Sequence, residues 1–200
     1  MRTDLRQRLL RAAEQEIAAC GPAKASLRAI ARRVGVSHQA TAHHFDDRAG
    51  LFTALAVEGF DLLLERTRTA IAEVGESPGA DGVDAGRPVA AAGAAYVEFA
   101  LRHPTMFDVM FRPELLHADD ERLLAAREEH RAVLLSNIAD AQARGWGVGV
   151  PTEELAVIGW ATVHGIAVLE RDSQLDGLLS AEELPRVLER VARALEALSG

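Results

Sequence analysis

The sequence holds a single cysteine, Cys20, in 200 residues. That excludes an internal disulfide and any cysteine-rich zinc site. Aromatic residues make up only 4%. With abundant Ala and Leu, this scarcity leans towards an all-α fold. No apolar run reaches the length of a membrane span. The best candidate, residues 156–169, is too short and contains His164. The first 25 residues are charged throughout and lack the apolar core of a signal peptide, so a cytoplasmic location is expected. No phosphate-binding loop, nucleophile triad or carboxylate constellation is present, so neither an enzyme nor a cofactor is expected.

What is present is a substantial apolar fraction, 48%, enough to bury a core. The formal charge is −8, and it is unevenly spread. Residues 1–50 carry nine basic and five acidic side chains and are net positive by 4; the remaining 150 are net negative by 12. A basic head on an acidic body suits a polyanion-binding unit joined to a solubilised one.

Helical signals run along the whole chain. Leu5, Leu9, Ala13, Ile17 and Cys20 form one apolar stripe, which Gly21-Pro22 stops. Ser26 can cap a helix over 27–34 with Leu27, Ile30, Ala31 and Val34 inward, and Gly35 can end it. Ser37 can cap a third helix over 38–45. A short Gly-containing turn between two such helices is the helix-turn-helix pattern. Asp47 can cap a fourth helix, 48–74. The segment 75–87, "GESPGADGVDAGR", reads as a loop. Further helices are predicted over 88–102, 105–111, 119–143 (started by Asp119), 153–171 (capped by Thr152) and from Leu184 to the end. Ser180 and Glu183 have capping-box spacing before the last of these. The total is about nine. Only "GWGVGVP", 145–151, could hide a short strand. The expected division is a DNA-binding domain over 1–50 and a body over 51–200, with helix 48–74 linking them.

The last two helices bear on assembly. Residues 155–169 are apolar on nearly all sides, with Gly159 and Gly165 permitting close approach. The final helix lines up Leu184, Val187, Leu188, Val191, Leu195 and Leu198. Segments 153–171 and 184–198 could pair with their copies as a four-helix bundle in a homodimer; packing within one chain is the alternative.

The run "SLRAIARRVGVS…HHFDDRAGLF" resembles the N-terminal domain of the tetracycline-repressor (TetR) family of bacterial regulators over roughly residues 5–57. In the body, "YVEFALRHPTMFDVMF" (96–111) and "WATVHG" (160–165) resemble the subgroup named for a Trp-His-Gly motif, here Trp160, His164 and Gly165. The resemblance implies a homodimer joined through its last two helices, with a DNA-binding head and a ligand-binding body.

The residues suit that reading. The major groove admits one helix, whose first turn reaches base edges. His38, Gln39 and Ala40 lie there, and Gln39 can bond adenine bidentately. Ala40 and Thr41 offer methyl groups to thymine. Arg28 can reach a phosphate or a guanine. Ser26, Ser37, His43, His44 and Arg48 would hold phosphates and set the register. The chain departs from the family where Gln39-Ala40-Thr41-Ala42 replaces the common Gly-Thr-Leu-Tyr. Ala42 lacks the aromatic hydroxyl that meets a phosphate, Thr41 takes the place of a buried leucine, and Gly50 replaces a capping acid. This predicts either a lower affinity per half-site or a substitute contact from His43.

In the body, Tyr96, Phe99, Met106, Phe107, Met110, Phe111, Trp160 and His164 are candidate lining residues for an apolar small molecule. Plain core packing is the alternative for each of them. His103 and His164 could share a metal only if the fold joined them, and no metal site is expected. The functional expectation is a ligand-responsive repressor, released from a palindromic double-stranded DNA operator by a small apolar effector. The alternative is a small-molecule-binding helical module with weakened or lost DNA binding.

Overall fold

The computed structural model describes residues 2–75, 85–180 and 182–197. Among these the chain forms nine α-helices and no strand: α1 (Arg2–Cys20), α2 (Leu27–Val34), α3 (His38–Ala42), α4 (Arg48–Gly75), α5 (Arg87–Arg102), α6 (Pro104–Met110), α7 (Glu121–Ala143), α8 (Thr152–Arg171) and α9 (Leu184–Ala197). A 3₁₀ turn, Pro113–Leu115, follows α6. No described helix is long and apolar enough to cross a membrane.

Two compact units form, and neither is contiguous in sequence. The first comprises Met1–Asp61 with His103–Arg127, the second Leu62–Arg102 with Glu128–Gly200. The chain leaves the first unit along α4 and returns to it at α6.

In the first unit, Leu9, Ala13 and Ile17 of α1 are buried with Ile30 and Ala31 of α2 and Leu51, Phe52 and Leu55 of α4. Gly59 on α4 faces α6: a Cβ there would lie 2.5 Å from Met110 Sδ and 2.8 Å from Met106 Cγ. Met106, Phe107 and Met110 are buried.

In the second unit, Ile138, Ala141, Trp146, Leu155, Ala156 and Leu195 form a buried cluster. The Trp146 indole donates to the Ala192 carbonyl at 3.2 Å. "GWGVGVP" is a series of turns, because Gly145, Gly147 and Gly149 all have positive φ. Gln142 ties it down through the carbonyls of Gly147 and Val150 at 3.0 and 2.8 Å.

Several helix ends differ from the sequence reading. Asp120, not Asp119, starts α7, its Oδ1 accepting from the amides of Arg122 and Leu123. Thr152 lies inside α8 and donates to Gln142 Oε1 at 2.6 Å, so its hydroxyl is engaged away from the helix start. α3 stops at Ala42, three residues short of Phe45. Gly75 ends α4 and Arg87 begins α5; of the loop expected between them, 76–84 lies outside the described residues, as does Leu198. Before α9, the Glu183 carboxylate accepts from the Ser180 amide and hydroxyl at 2.9 and 2.8 Å, which holds its pKa below the usual value.

Candidate DNA-reading helix and ligand cavity

The α2–turn–α3 element is built by three local devices. Ser26 Oγ accepts from the Ala29 amide at 3.2 Å and caps α2. Gly35, at φ 76° and ψ 31°, reverses the chain at the other end. Its amide bonds the Arg32 carbonyl and that of Val36 bonds Ala31, a Schellman arrangement open to a residue that tolerates positive φ. Ser37 Oγ then accepts from the Ala40 amide at 3.1 Å and starts α3.

α1 braces this element from one side. Arg8 donates to the Val34 carbonyl at 3.0 Å, neutralising the C-terminal end of α2. Arg33 grips Glu16 Oε2 with two nitrogens at 3.0 and 2.8 Å. The Arg6 guanidinium lies 5.7 Å from the centre of the buried Phe45 ring.

The ten candidate DNA contacts fall into three groups. His38, Gln39 and His43 are exposed, as are Arg28, Ser26 and Ser37; Ala40 and His44 are half-buried. Arg28 makes no polar contact among the described residues. Ser26 and Ser37 are already committed to their caps. Two residues depart from the expectation. Thr41 is 0% exposed and its hydroxyl turns back to the Ser37 carbonyl at 3.4 Å, so its methyl packs inward and is unavailable to a base. Arg48 donates to the carbonyls of Ala23 and Pro22 at 3.0 and 3.4 Å and lies over Phe52. It ties α4 to the α1–α2 turn, a structural task that its position in the sequence does not disclose.

His117 is a residue the sequence reading missed. Its Nε2 lies 3.0 Å from Asp47 Oδ1, and its amide donates to the Thr53 hydroxyl at 2.9 Å. Asp47 Oδ1 also accepts from the Gly50 amide at 2.7 Å, capping α4. That backbone bond, with His117 beside it, lowers the Asp47 pKa.

The second unit holds a partly open cavity of about 70 Å³. Its walls are Leu64, Thr67 and Ile71 of α4, Val89, Gly93 and Tyr96 of α5, His130, Leu134 and Asn137 of α7, Gly159, Trp160 and Val163 of α8, and residues of α9. One wall is a hydrogen-bonded chain. Trp160 Nε1 donates to the Tyr96 hydroxyl at 3.2 Å, and that hydroxyl lies 2.8 Å from His164 Nδ1. An indole N–H can only donate, so the Tyr96 oxygen accepts from it, while the direction of its bond with His164 follows the imidazole tautomer. Burial lowers the pKa of both His130 and His164, with the charge of Arg171 adding to the effect on His164. Burial likewise raises that of the Tyr96 hydroxyl. All three are uncharged near neutral pH.

The eight candidate lining residues therefore separate. Tyr96 and Trp160 line this cavity, and His164 buttresses it from behind Tyr96. Phe99 is buried in the second unit away from the cavity wall. Met106, Phe107, Met110 and Phe111 belong to the first unit, where Phe111 packs against Phe60 and Phe107. The α5–α6 break at His103-Pro104 carries them there. Among the described residues no cluster suited to a metal ion forms.

His130 and Asn137 were not foreseen. A signal for them exists: Leu123, Ala126, His130, Leu134, Asn137, Ile138 and Ala141 recur at helical spacing, so two polar residues interrupt the apolar stripe of α7. A polar residue on a buried stripe is the informative kind.

Comparison with known proteins agrees with this architecture. Residues 9–55 match the family described as "Bacterial regulatory proteins, tetR family", and residues 89–195 match "Tetracyclin repressor-like, C-terminal domain". No curated protein sequence matches the chain. Among solved structures, a protein of unknown function from Rhodococcus sp. RHA1 shares 30% identity over 96% of this chain and 94% of its own, with a TM-score of 0.78. The TetR family transcriptional regulator PfmR from Thermus thermophilus shares the fold at 19% identity and TM-score 0.68, covering 95% of this chain and 97% of its own. The fatty acid degradation regulator FadR from Bacillus halodurans does so at 14% and 0.72, covering 96% and 94%. With both domains matched in order around a capped helix-turn-helix and a helical body, the chain belongs to the TetR family of transcriptional regulators.

Proposed function

We propose that this regulator is a repressor that leaves a palindromic operator when a small, mainly apolar effector enters the cavity of the second unit. The observation that carries the reading is α4. It is one unbroken helix that contributes Leu51, Phe52 and Leu55 to the core of the first unit, and Leu64, Thr67 and Ile71 to the cavity wall of the second. An effector that fits the cavity better in one α4 position than another shifts the population of DNA-competent heads by its differential affinity.

Two helix-reading heads need a dimer, with half-sites about 34–36 Å apart. The proposed interface is 153–171 with 184–198. Supporting it, Val157, Ile158, Trp160 and Leu169 of α8 are 65, 40, 40 and 44% exposed in the single chain. Gly165 meets nothing within 4 Å, leaving room for a partner helix. Trp160 and His164, joined through Tyr96, are consistent with the Trp-His-Gly subgroup, and the absence of a membrane-spanning helix among the described residues is consistent with a cytoplasmic site of action. DNA contact is assigned to Arg28, His38, Gln39, Ala40, His43 and His44, with the amides at the Ser26 and Ser37 caps.

The engagement of Arg48 within the head and Ala42 at the usual aromatic position favour a second reading, a ligand-binding module with weakened DNA binding. Selection of bound fragments from random DNA, followed by a salt titration, separates the two. The repressor reading expects an enriched palindrome and a steep salt slope; absence of both gives the second reading. Val157→Glu is expected to yield monomers by light scattering, and a variant that remains dimeric removes the proposed interface.

A further inference from the structure

Within the cavity wall, Asn137 is only 6% exposed. Its Nδ2 donates to the Pro88 carbonyl at 3.2 Å, and that is its sole hydrogen bond among the described residues. Asn137 lines the cavity, and its Oδ1 accepts from none of the described residues. Among the described residues only Glu58 Oε2 is both fully buried and unpartnered, so Asn137 Oδ1 is open to a water or a ligand, and a ligand that bonds it restores the hydrogen bond that a displaced water would lose.

The rest of the wall restricts what that ligand is. Not one lining residue is Lys, Arg, Asp or Glu. His130, the basic side chain in the wall, is held neutral by burial. A carboxylate or an ammonium entering here would be buried with no opposite charge, the most costly state for a polar group. Leu64, Ile71, Val89, Leu134 and Val163 around it reward hydrocarbon.

We infer that the effector is an uncharged, mainly apolar molecule with a hydroxyl group, which donates to Asn137 Oδ1 and accepts from its free Nδ2–H. This rests on the reading of the cavity as the effector site and narrows it by head group. The carboxamide presents one acceptor and one donor side by side, and a hydroxyl satisfies both. A carboxylate satisfies only the donor, and a pure hydrocarbon neither. The cavity is about half the ~150 Å³ of an engineered cavity that admits benzene, so probes of about five non-hydrogen atoms suit it.

The test is a titration of the full-length protein with 1-butanol, butanoate, butylamine and pentane, followed by NMR of the Trp160 indole N–H. Butanol is expected to bind about tenfold more tightly than each of the others. Asn137→Leu should bring butanol and pentane to parity. Asn137→Asp should turn the preference to butylamine, which a merely structural Asn137 would not do. Butanoate binding as tightly as butanol would overturn the inference, and so would an Asn137→Leu protein that keeps the butanol preference. Binding of all four probes alike removes the head-group assignment and leaves the effector site standing. Binding of none removes both. Because the four-probe comparison needs only the unmodified protein, it decides the matter even if a variant does not fold.

Discussion

The Tyr96 hydroxyl sits 2.8 Å from Nδ1 of His164 while receiving the indole N–H of Trp160 at 3.2 Å. One oxygen joins α5 to two successive turns of α8, and Tyr96 is only 4% exposed. Tyr96→Phe deletes that oxygen and takes a partner from both the Trp160 indole N–H and His164 Nδ1. The expected loss is about 1–2 kcal/mol, read as a lower urea midpoint with an unchanged slope. A midpoint equal to that of the unmodified protein would show that the chain contributes nothing net.

Arg48 is expected to matter for stability before DNA. Its guanidinium holds the carbonyls of Pro22 and Ala23, so Arg48→Ala should loosen the α1–α2 turn at a cost of about 1 kcal/mol. The ranking of operator sequences should stay the same. Thermal unfolding combined with a fragment-binding profile checks both halves.

Gln39 and Arg28 should divide the labour on DNA. Both are exposed on the α2–α3 element, but only Gln39 lies in the first turn of α3. Gln39→Ala is expected to relax preference at one base pair by about 1–3 kcal/mol of discrimination. Arg28→Ala should weaken binding to all sequences and lower the salt slope by about one. A uniform loss from Gln39→Ala would reverse the assignment.

Acid should destabilise the second unit through its imidazoles. Burial depresses the pKa of His130 and His164 below the ordinary value of about 6.5, so between the folded and unfolded values the unfolded chain binds more protons. Stability from these groups is complete above about pH 6.5 and declines as pH falls below it. Urea midpoints at about pH 7.5 and 5.5, either side of that ordinary value, should differ in that sense, and His130→Gln should reduce the difference. Equal midpoints, or a higher one in acid, would contradict it.

The caps explain why so much of the head was readable. Ser26, Gly35, Ser37 and Asp47 act on backbone groups within three to four residues of themselves, so their effect is written locally. The stop before Pro104 is local in the same way, because proline restricts the residue before it. Arg48 and His117 were not readable in this manner. Their partners lie 25 and 70 positions away, and no periodicity links them. Thr41 stands where the family has a buried leucine; its place in the helix offers it to DNA, and packing in the first unit buries it.

The sequence by itself determined the nine helices of the described residues, the placement of the helix-turn-helix and the basic head, since propensity, capping and charge are properties of neighbouring residues. Tertiary structure alone decided which aromatic and sulfur-containing side chains share a cavity. Tyr96 and Trp160 come together across 64 positions, while Phe107 and Met110, close to Tyr96 in sequence, belong to the other unit's core. It also decided that Asn137, one of two polar residues on an apolar stripe, lines that cavity with its Nδ2 bonded to the Pro88 carbonyl. The reason is physical: burial and hydrogen-bond satisfaction depend on what the chain brings back from afar, and no local pattern encodes that.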